Sequence, residues 1–253
     1  MQSYIFLDLD DTLFQTLRKC VPGVNDHNLE VRAYLPDGTA NSFATHKQQW
    51  LWEWLAKGFK IVPVTARDVH AFERVNLPFQ EEVVLNHGAV ILDKQRVVDQ
   101  VWMELIMQEM PIYHDKLLEL WAEVELYAKR HPGFKPRLVN DFDITWYGVI
   151  KHSDGIEAVL KTLLDELIIK HPHVTDGSLY WHLNGNNLAL LPKIINKESA
   201  VSYLLNGYKQ YSEVLTFGAG DSKTDAPFMA LCDYALIPKN TQLYQTLAMV
   251  EIS

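Results

Sequence analysis

Apolar residues recur along the chain with two periods, and the switches between them mark out the elements. Residues 4–9 form a short apolar run that ends in acids, as expected of a strand buried on both faces. Residues 46–57 (HKQQWLWEWLAK) have helical length and stop before Gly58, a suitable C-cap. The spacing of Trp50 and Trp54 on that helix predicts core packing. Residues 59–65 (FKIVPVT) read as a second strand, 69–75 as a short helix and 82–85 as a third strand. Residues 89–98 read as a hairpin turning near Asp93 and Lys94.

The character then changes. Residues 102–130 carry a long helical pattern, broken or kinked around Pro111. Residues 137–140 and 144–150 alternate like strands, and 155–170 (GIEAVLKTLLDELIIK) form an amphipathic helix. Two more strands, 179–183 and 187–191, flank the turn Asn184-Gly185-Asn186. Helix-strand-strand, read twice, predicts an α+β unit with an antiparallel sheet. After Pro192 the strand-helix alternation returns, with a helix at 197–206, a strand at 214–217, a helix at 226–231 and a strand at 234–237. The expected fold class is therefore α/β: a Rossmann-like, doubly wound parallel sheet formed by residues 1–98 and 193–253. Residues 99–192 are inserted into it as a separate α+β domain.

Composition narrows the function. Hydrophobic residues make up 48% of the 253 positions and charged residues 22%, the balance of a globular protein. A formal net charge of -9 does not attract nucleic acid or anionic membranes, so an anionic ligand needs local cations, and a bound metal is one source. Cys20 and Cys232 have no metal-like spacing and read as reduced thiols. The N-terminus has no basic region before its apolar run, and no stretch approaches the ~20 apolar residues of a membrane span. A cytoplasmic protein without membrane or nucleic-acid partners is expected, its oligomeric state left open.

Four motifs carry chemistry. The first is Phe6-Leu7-Asp8-Leu9-Asp10-Asp11-Thr12-Leu13. Side chains two apart on a strand point the same way, so Asp8 and Asp10 are expected to face one site at the carboxyl end of the sheet. Close carboxylates repel unless a cation lies between them, and a hard metal such as magnesium fits oxygen ligands. The second is Gly218-Ala219-Gly220-Asp221-Ser222-Lys223-Thr224-Asp225, a Gly-rich turn that brings Asp221 and Asp225 to the same rim. Asp225 also reads as the cap of the helix that follows it. The third is Val64-Thr65-Ala66-Arg67, where a hydroxyl and backbone N–H groups can hold a phosphoryl oxygen, or where Thr65 is simply an N-cap. The fourth is a lysine before the helix at 197–206: Lys197 first and Lys193 second.

In this order the motifs resemble the haloacid dehalogenase superfamily, in the class with a large cap inserted between the second and third motifs. That class includes sucrose-phosphate, trehalose-phosphate and mannosylphosphoglycerate phosphatases. Asn86-His87-Gly88-Ala89 is similar to the group's Asn-Gly-Ala turn, with His87 as an extra residue. Thr224 stands where many relatives have Asn, and Ala66 where Gly is common. The resemblance implies a magnesium-dependent phosphomonoesterase acting on a small phosphorylated metabolite, with a sugar phosphate as the expected class. Asp8 is then the nucleophile and Asp10 the general acid/base. Magnesium is then held by Asp8, the Asp10 backbone and Asp221, with Asp225 in support, and Thr65 and Lys197 bind the phosphoryl group. It also implies that residues 99–192 are a cap that excludes water and selects the substrate, with Trp146, Tyr147, Trp181 and His182 available for stacking. Two other functions compete: a phosphomutase or phosphotransferase on the same scaffold, and a non-catalytic binding module, which predicts the loss of Asp8 or Asp10.

Overall fold

Strand β1 (Gln2–Leu7) is buried from Tyr4 to Leu7, so its apolar run serves both faces of a sheet. In the computed structural model, which describes residues 2–20, 28–210 and 213–249, the chain forms two units. One comprises Met1–Trp102 with Asn196–Ser253, the other Met103–Ile195.

In the first unit, β1 is followed by the short strands β2 (Gln15–Thr16), β3 (Glu30–Tyr34) and β4 (Ala40–Ala44). These make an antiparallel sheet of order β2-β4-β3 that the periodicity did not reveal. β2 has two residues and the β3–β4 pairing is irregular at Ala33, so neither shows a clean alternation. Helix α1 (His46–Gly58) starts at a capping box: Thr45 accepts from the Gln48 N–H, and the Gln48 side chain accepts from the Thr45 N–H. Its inward face carries Leu51, Trp52 and Leu55. Trp50 and Trp54 lie on the outward face, 60% and 54% exposed, so the expected core pair is a surface pair. Their spacing identified a shared helix face but not the direction in which it points.

Then come β5 (Lys60–Pro63), α2 (Val69–Glu73), β6 (Val83–Leu85) and β7 (Val90–Leu92). β7 pairs antiparallel with β6, and beyond it the chain turns back at Asp93, with Leu92 bridging Val98, Asp93 N–H donating to Val97 O and Asp99 N–H to Ile91 O. The chain leaves this unit within α3 (Gln100–Arg130), after Trp102.

The second unit is an antiparallel sheet of order β10-β11-β9-β8, formed by β8 (Phe134–Asp141), β9 (Ile144–His152), β10 (Leu179–Leu183) and β11 (Leu188–Pro192). Helices α4 (Glu157–Glu166) and α5 (Pro172–Thr175) lie between β9 and β10. Leu117, Leu120, Trp121 and Val124 of α3 join Leu163 and Leu190 in one buried cluster. α3 stays helical through Pro111, where a break or kink was expected. A proline removes one N–H bond at a cost of ~3 kcal/mol, and the packed turns beyond it offset that cost. Trp146 and Tyr147 are core residues, while Trp181 is exposed and His182 half-buried.

The chain returns to the first unit with α6 (Lys197–Lys209), β12 (Val214–Ala219), α7 (Ala226–Met229), β13 (Tyr234–Leu236) and α8 (Gln242–Ala248). Its main sheet is parallel, in the order β13-β12-β1-β5. From β1 the winding runs to β5 on one side, and from β12 to β13 on the other. The order reverses between β1 and β12, the doubly wound arrangement expected. No helix among the described residues is long and apolar enough to cross a membrane.

Candidate active site

Register brings the motifs together. Leu7 pairs with both Ala219 and Pro63, so β1, β12 and β5 end level. Asp8, Gly220-Asp221 and Val64-Thr65 leave the sheet side by side at its carboxyl edge. Asp8 N–H donates to Ala219 O and Val64 N–H to Leu7 O, both at 2.9 Å. This edge at the strand-order reversal is where open α/β sheets bind ligands.

Asp8 is buried. One carboxylate oxygen accepts from Lys197 Nζ at 2.6 Å and the other from Thr12 Oγ1 at 3.3 Å. Lys197 is the first residue of α6, whose N-cap Asn196 accepts from the Ser199 N–H at 2.7 Å. That cap is held in place from the other side. A Cβ on Gly88, whose φ is +106°, would stand 2.1 Å from Asn196 O, so only glycine permits this approach. An ammonium in the first turn of a helix meets the positive end of its dipole. Two carboxylates offset this: Lys197 also donates to Asp225 Oδ1 at 2.6 Å. Burial alone would lower the Lys197 pKa, but Asp225 and Asp8 raise it and keep the group charged.

Asp225 stands at the N-cap position of α7, as the sequence suggests, but its side chain makes no capping hydrogen bond. Its Oδ2 instead accepts from the preceding turn: Asp221 N–H (3.2 Å), Ser222 N–H (2.9 Å) and Ser222 Oγ (2.7 Å). These three donors crowd Oδ2, while Lys197 takes one of the two acceptor positions of Oδ1. Asp221 is equally buried, yet no hydrogen bond reaches its carboxylate among the described residues. Burial, and then Asp225, push its pKa up to about 7. Asp8 is also raised: burial is the largest cause, Lys197 opposes it, and Asp225 and Asp221 add to it.

Ligand oxygens of Asp8, Asp221 and Asp225 lie within 4.8 Å of one another. Three carboxylates against one ammonium leave an excess of two negative charges. The donors are hard oxygens, and one buried carboxylate lacks an internal partner. This set fits a divalent cation of the magnesium type, with Asp225, which already accepts four hydrogen bonds, better suited to support than to direct ligation.

Asp10 lies outside the cluster. β1 ends at Leu7, and Asp11 has a φ of 62°, so strand alternation no longer governs the turn. Both Asp10 carboxylate oxygens accept from Arg67, from Nε and NH2, each at 2.8 Å. Thr65 is buried and accepts from the Arg67 N–H at 3.2 Å. The α2 cap is Asp68, so Thr65 is not an N-cap. Lys193, the second lysine considered, lies in the second unit, and Lys197 is the lysine that reaches Asp8. Arg67 and Ser222 were visible in their motifs, but nothing local in the sequence showed whom they would pair with.

No protein-family model matches the chain, and no curated protein matches it in sequence. Solved structures match its fold. A trehalose-6-phosphate phosphatase related protein is 19% identical, with a TM-score of 0.51 over 95% of this chain and 89% of the other. The sucrose-phosphatase of Synechocystis, solved with sucrose and phosphate, is 15% identical, with a TM-score of 0.51 over 98% and 96%. The C-terminal domain of C. albicans trehalose-6-phosphate phosphatase is 15% identical, with a TM-score of 0.52 over 90% and 72%. The chain shares its fold with these three solved structures. Within that fold, the acids of the first and last motifs lie in the first unit of this chain, on adjacent strands of one parallel sheet.

Proposed function

We propose that the chain is a magnesium-dependent phosphomonoesterase acting on a small phosphorylated metabolite, a sugar phosphate being the favoured class, through an aspartyl-phosphate on Asp8. One observation carries this reading. A buried aspartate at the end of the central strand is clamped by a buried lysine beside the buried carboxylate of Asp221, which accepts no hydrogen bond from the described residues. The proteins of similar fold include a trehalose-6-phosphate phosphatase and a sucrose-phosphatase, which supports the substrate class.

Asp8 attacks phosphorus, the phosphorus–alcohol oxygen bond breaks, and the departing oxygen takes the proton carried by Asp10. Water then attacks the phosphorus of the acyl phosphate and gives its proton back to Asp10. Inorganic phosphate leaves and Asp8 is restored. Lys197 spends two of its three N–H donors on Asp8 and Asp225, which leaves the third for a phosphoryl oxygen. Thr65 takes another. Asp8 and Asp221, with the Asp10 backbone, would hold magnesium, supported by Asp225. Bound there, the ion supplies charge neutralisation for an anionic transition state. The second unit serves as the cap that selects the substrate. Half of the Asp10 side chain is exposed, leaving an edge that water can reach, and this favours hydrolysis over transfer to a second sugar.

Phosphate release should accompany alcohol release one for one from a panel of sugar phosphates. Asp8→Asn should lower turnover by about four orders of magnitude or more while the melting temperature is retained. Treatment with EDTA should stop the reaction, and added magnesium should restore it. Full activity of Asp8→Asn would overturn the nucleophile, and full activity without divalent metal would overturn the cofactor.

A further inference from the structure

We propose that Arg67 is the positioning residue for Asp10, fixing the edge of its carboxylate through which protons pass. This inference rests on the phosphatase reading above and assigns a task to a residue that reading leaves without one. Arg67 meets Asp10 as a two-pronged fork, with Nε on Oδ2 and NH2 on Oδ1, both at 2.8 Å. Such a fork fixes the plane of a carboxylate as well as its distance, which a single bond cannot do. The fork is itself anchored. Arg67 NH1 donates to Ala71 O at 3.0 Å, and the guanidinium lies over the Phe14 ring, 5.2 Å from its centroid. The Arg67 side chain is 13% exposed, against 49% for Asp10.

The carboxylate is thus held on a buried edge and open on the other. Each oxygen keeps a lone pair outside the fork, and proton exchange with water or a departing alcohol takes place there. A surface ion pair formed for stability would not need a partly buried, triply bonded arginine to hold a half-exposed acid. Asp10 sits in a turn beyond the end of β1, where Asp11 adopts a left-handed conformation and an isolated bridge to Phe14 fixes the backbone, so the plane of its carboxylate is set by its side-chain partner.

The test uses two aryl phosphates in single turnovers with magnesium present. Nitrophenolate leaves without a proton and phenolate leaves poorly without one, so the pair isolates the acid's contribution. Arg67→Ala should slow release of phenol about 10- to 100-fold and release of nitrophenol by less than about threefold. Arg67→Lys keeps the charge but cannot form the fork, and should give the same pattern. Asp10→Asn serves as the control and should give a stronger form of it. Equal slowing of both substrates in Arg67→Ala, no slowing of either, or wild-type behaviour of Arg67→Lys would overturn the assignment of Arg67 while Asp10→Asn still discriminates. An Asp10→Asn variant that treats both substrates alike would overturn the acid role of Asp10, and the assignment of Arg67 with it. Because the readout is a ratio between two substrates, a general loss of folded protein does not imitate it.

Discussion

Gly220 lies so close to Asp225 that a Cβ built on it would stand 2.4 Å from Asp225 Cβ and 2.9 Å from Oδ2. Residues that organise a metal's ligands typically matter about 10- to 100-fold to its affinity. Gly220→Ala should therefore weaken magnesium binding by that factor, read by calorimetric titration of the purified protein. An unchanged affinity would mean that Asp225 does not organise the site. Such contacts show why residue identity was legible where residue partnership was not. The acids Asp8, Asp221 and Asp225 stood out because they follow apolar strands. The chain does not state that Arg67 would take Asp10, 57 positions away, or that Lys197 would take Asp8, 189 positions away.

Helix α1 carries an aromatic stripe at helical spacing that lies on its outer face, so its start is set by the cap more than by core packing. The Thr45 side chain and the Gln48 side chain satisfy each other's backbone N–H groups. Thr45→Ala should cost about 1 kcal/mol of stability, measured by urea unfolding, with little effect on any catalytic rate. α6 uses the same device for a different end. Its Asn196 cap sets the first turn from which Lys197 enters the acidic cluster, so a local capping signal also positions a functional side chain. Helix and strand identities followed from period and turn chemistry. The sheet β2-β4-β3 did not, because strands this short and irregular carry too little pattern.

Each of the two units has a buried core, and every residue of the proposed reaction lies in the first. Leu163 belongs to the cluster of the second unit and is almost fully buried. Leu163→Ala should cost about 2–5 kcal/mol. Hydrogen exchange should rise in Met103–Ile195, with magnesium affinity unchanged. Equal loosening of both units would show that they are stabilised as one. The overall charge of -9 does not attract an anion, so the proposed substrate would be held by the local charges around Lys197 and the proposed cation.

By itself, the sequence determined which segments are buried parallel strands, which helices follow them, and which acids stand at strand ends. All of these depend on neighbours within a few positions: an apolar period, a glycine at a turn, a capping side chain. Tertiary structure alone decided that Trp50 and Trp54 face outward, that Lys197 bridges Asp8 and Asp225, and that Asp10 is held by Arg67 apart from the acidic cluster. Those outcomes depend on where distant strands come into register, and no local period encodes a contact between segments far apart in the chain.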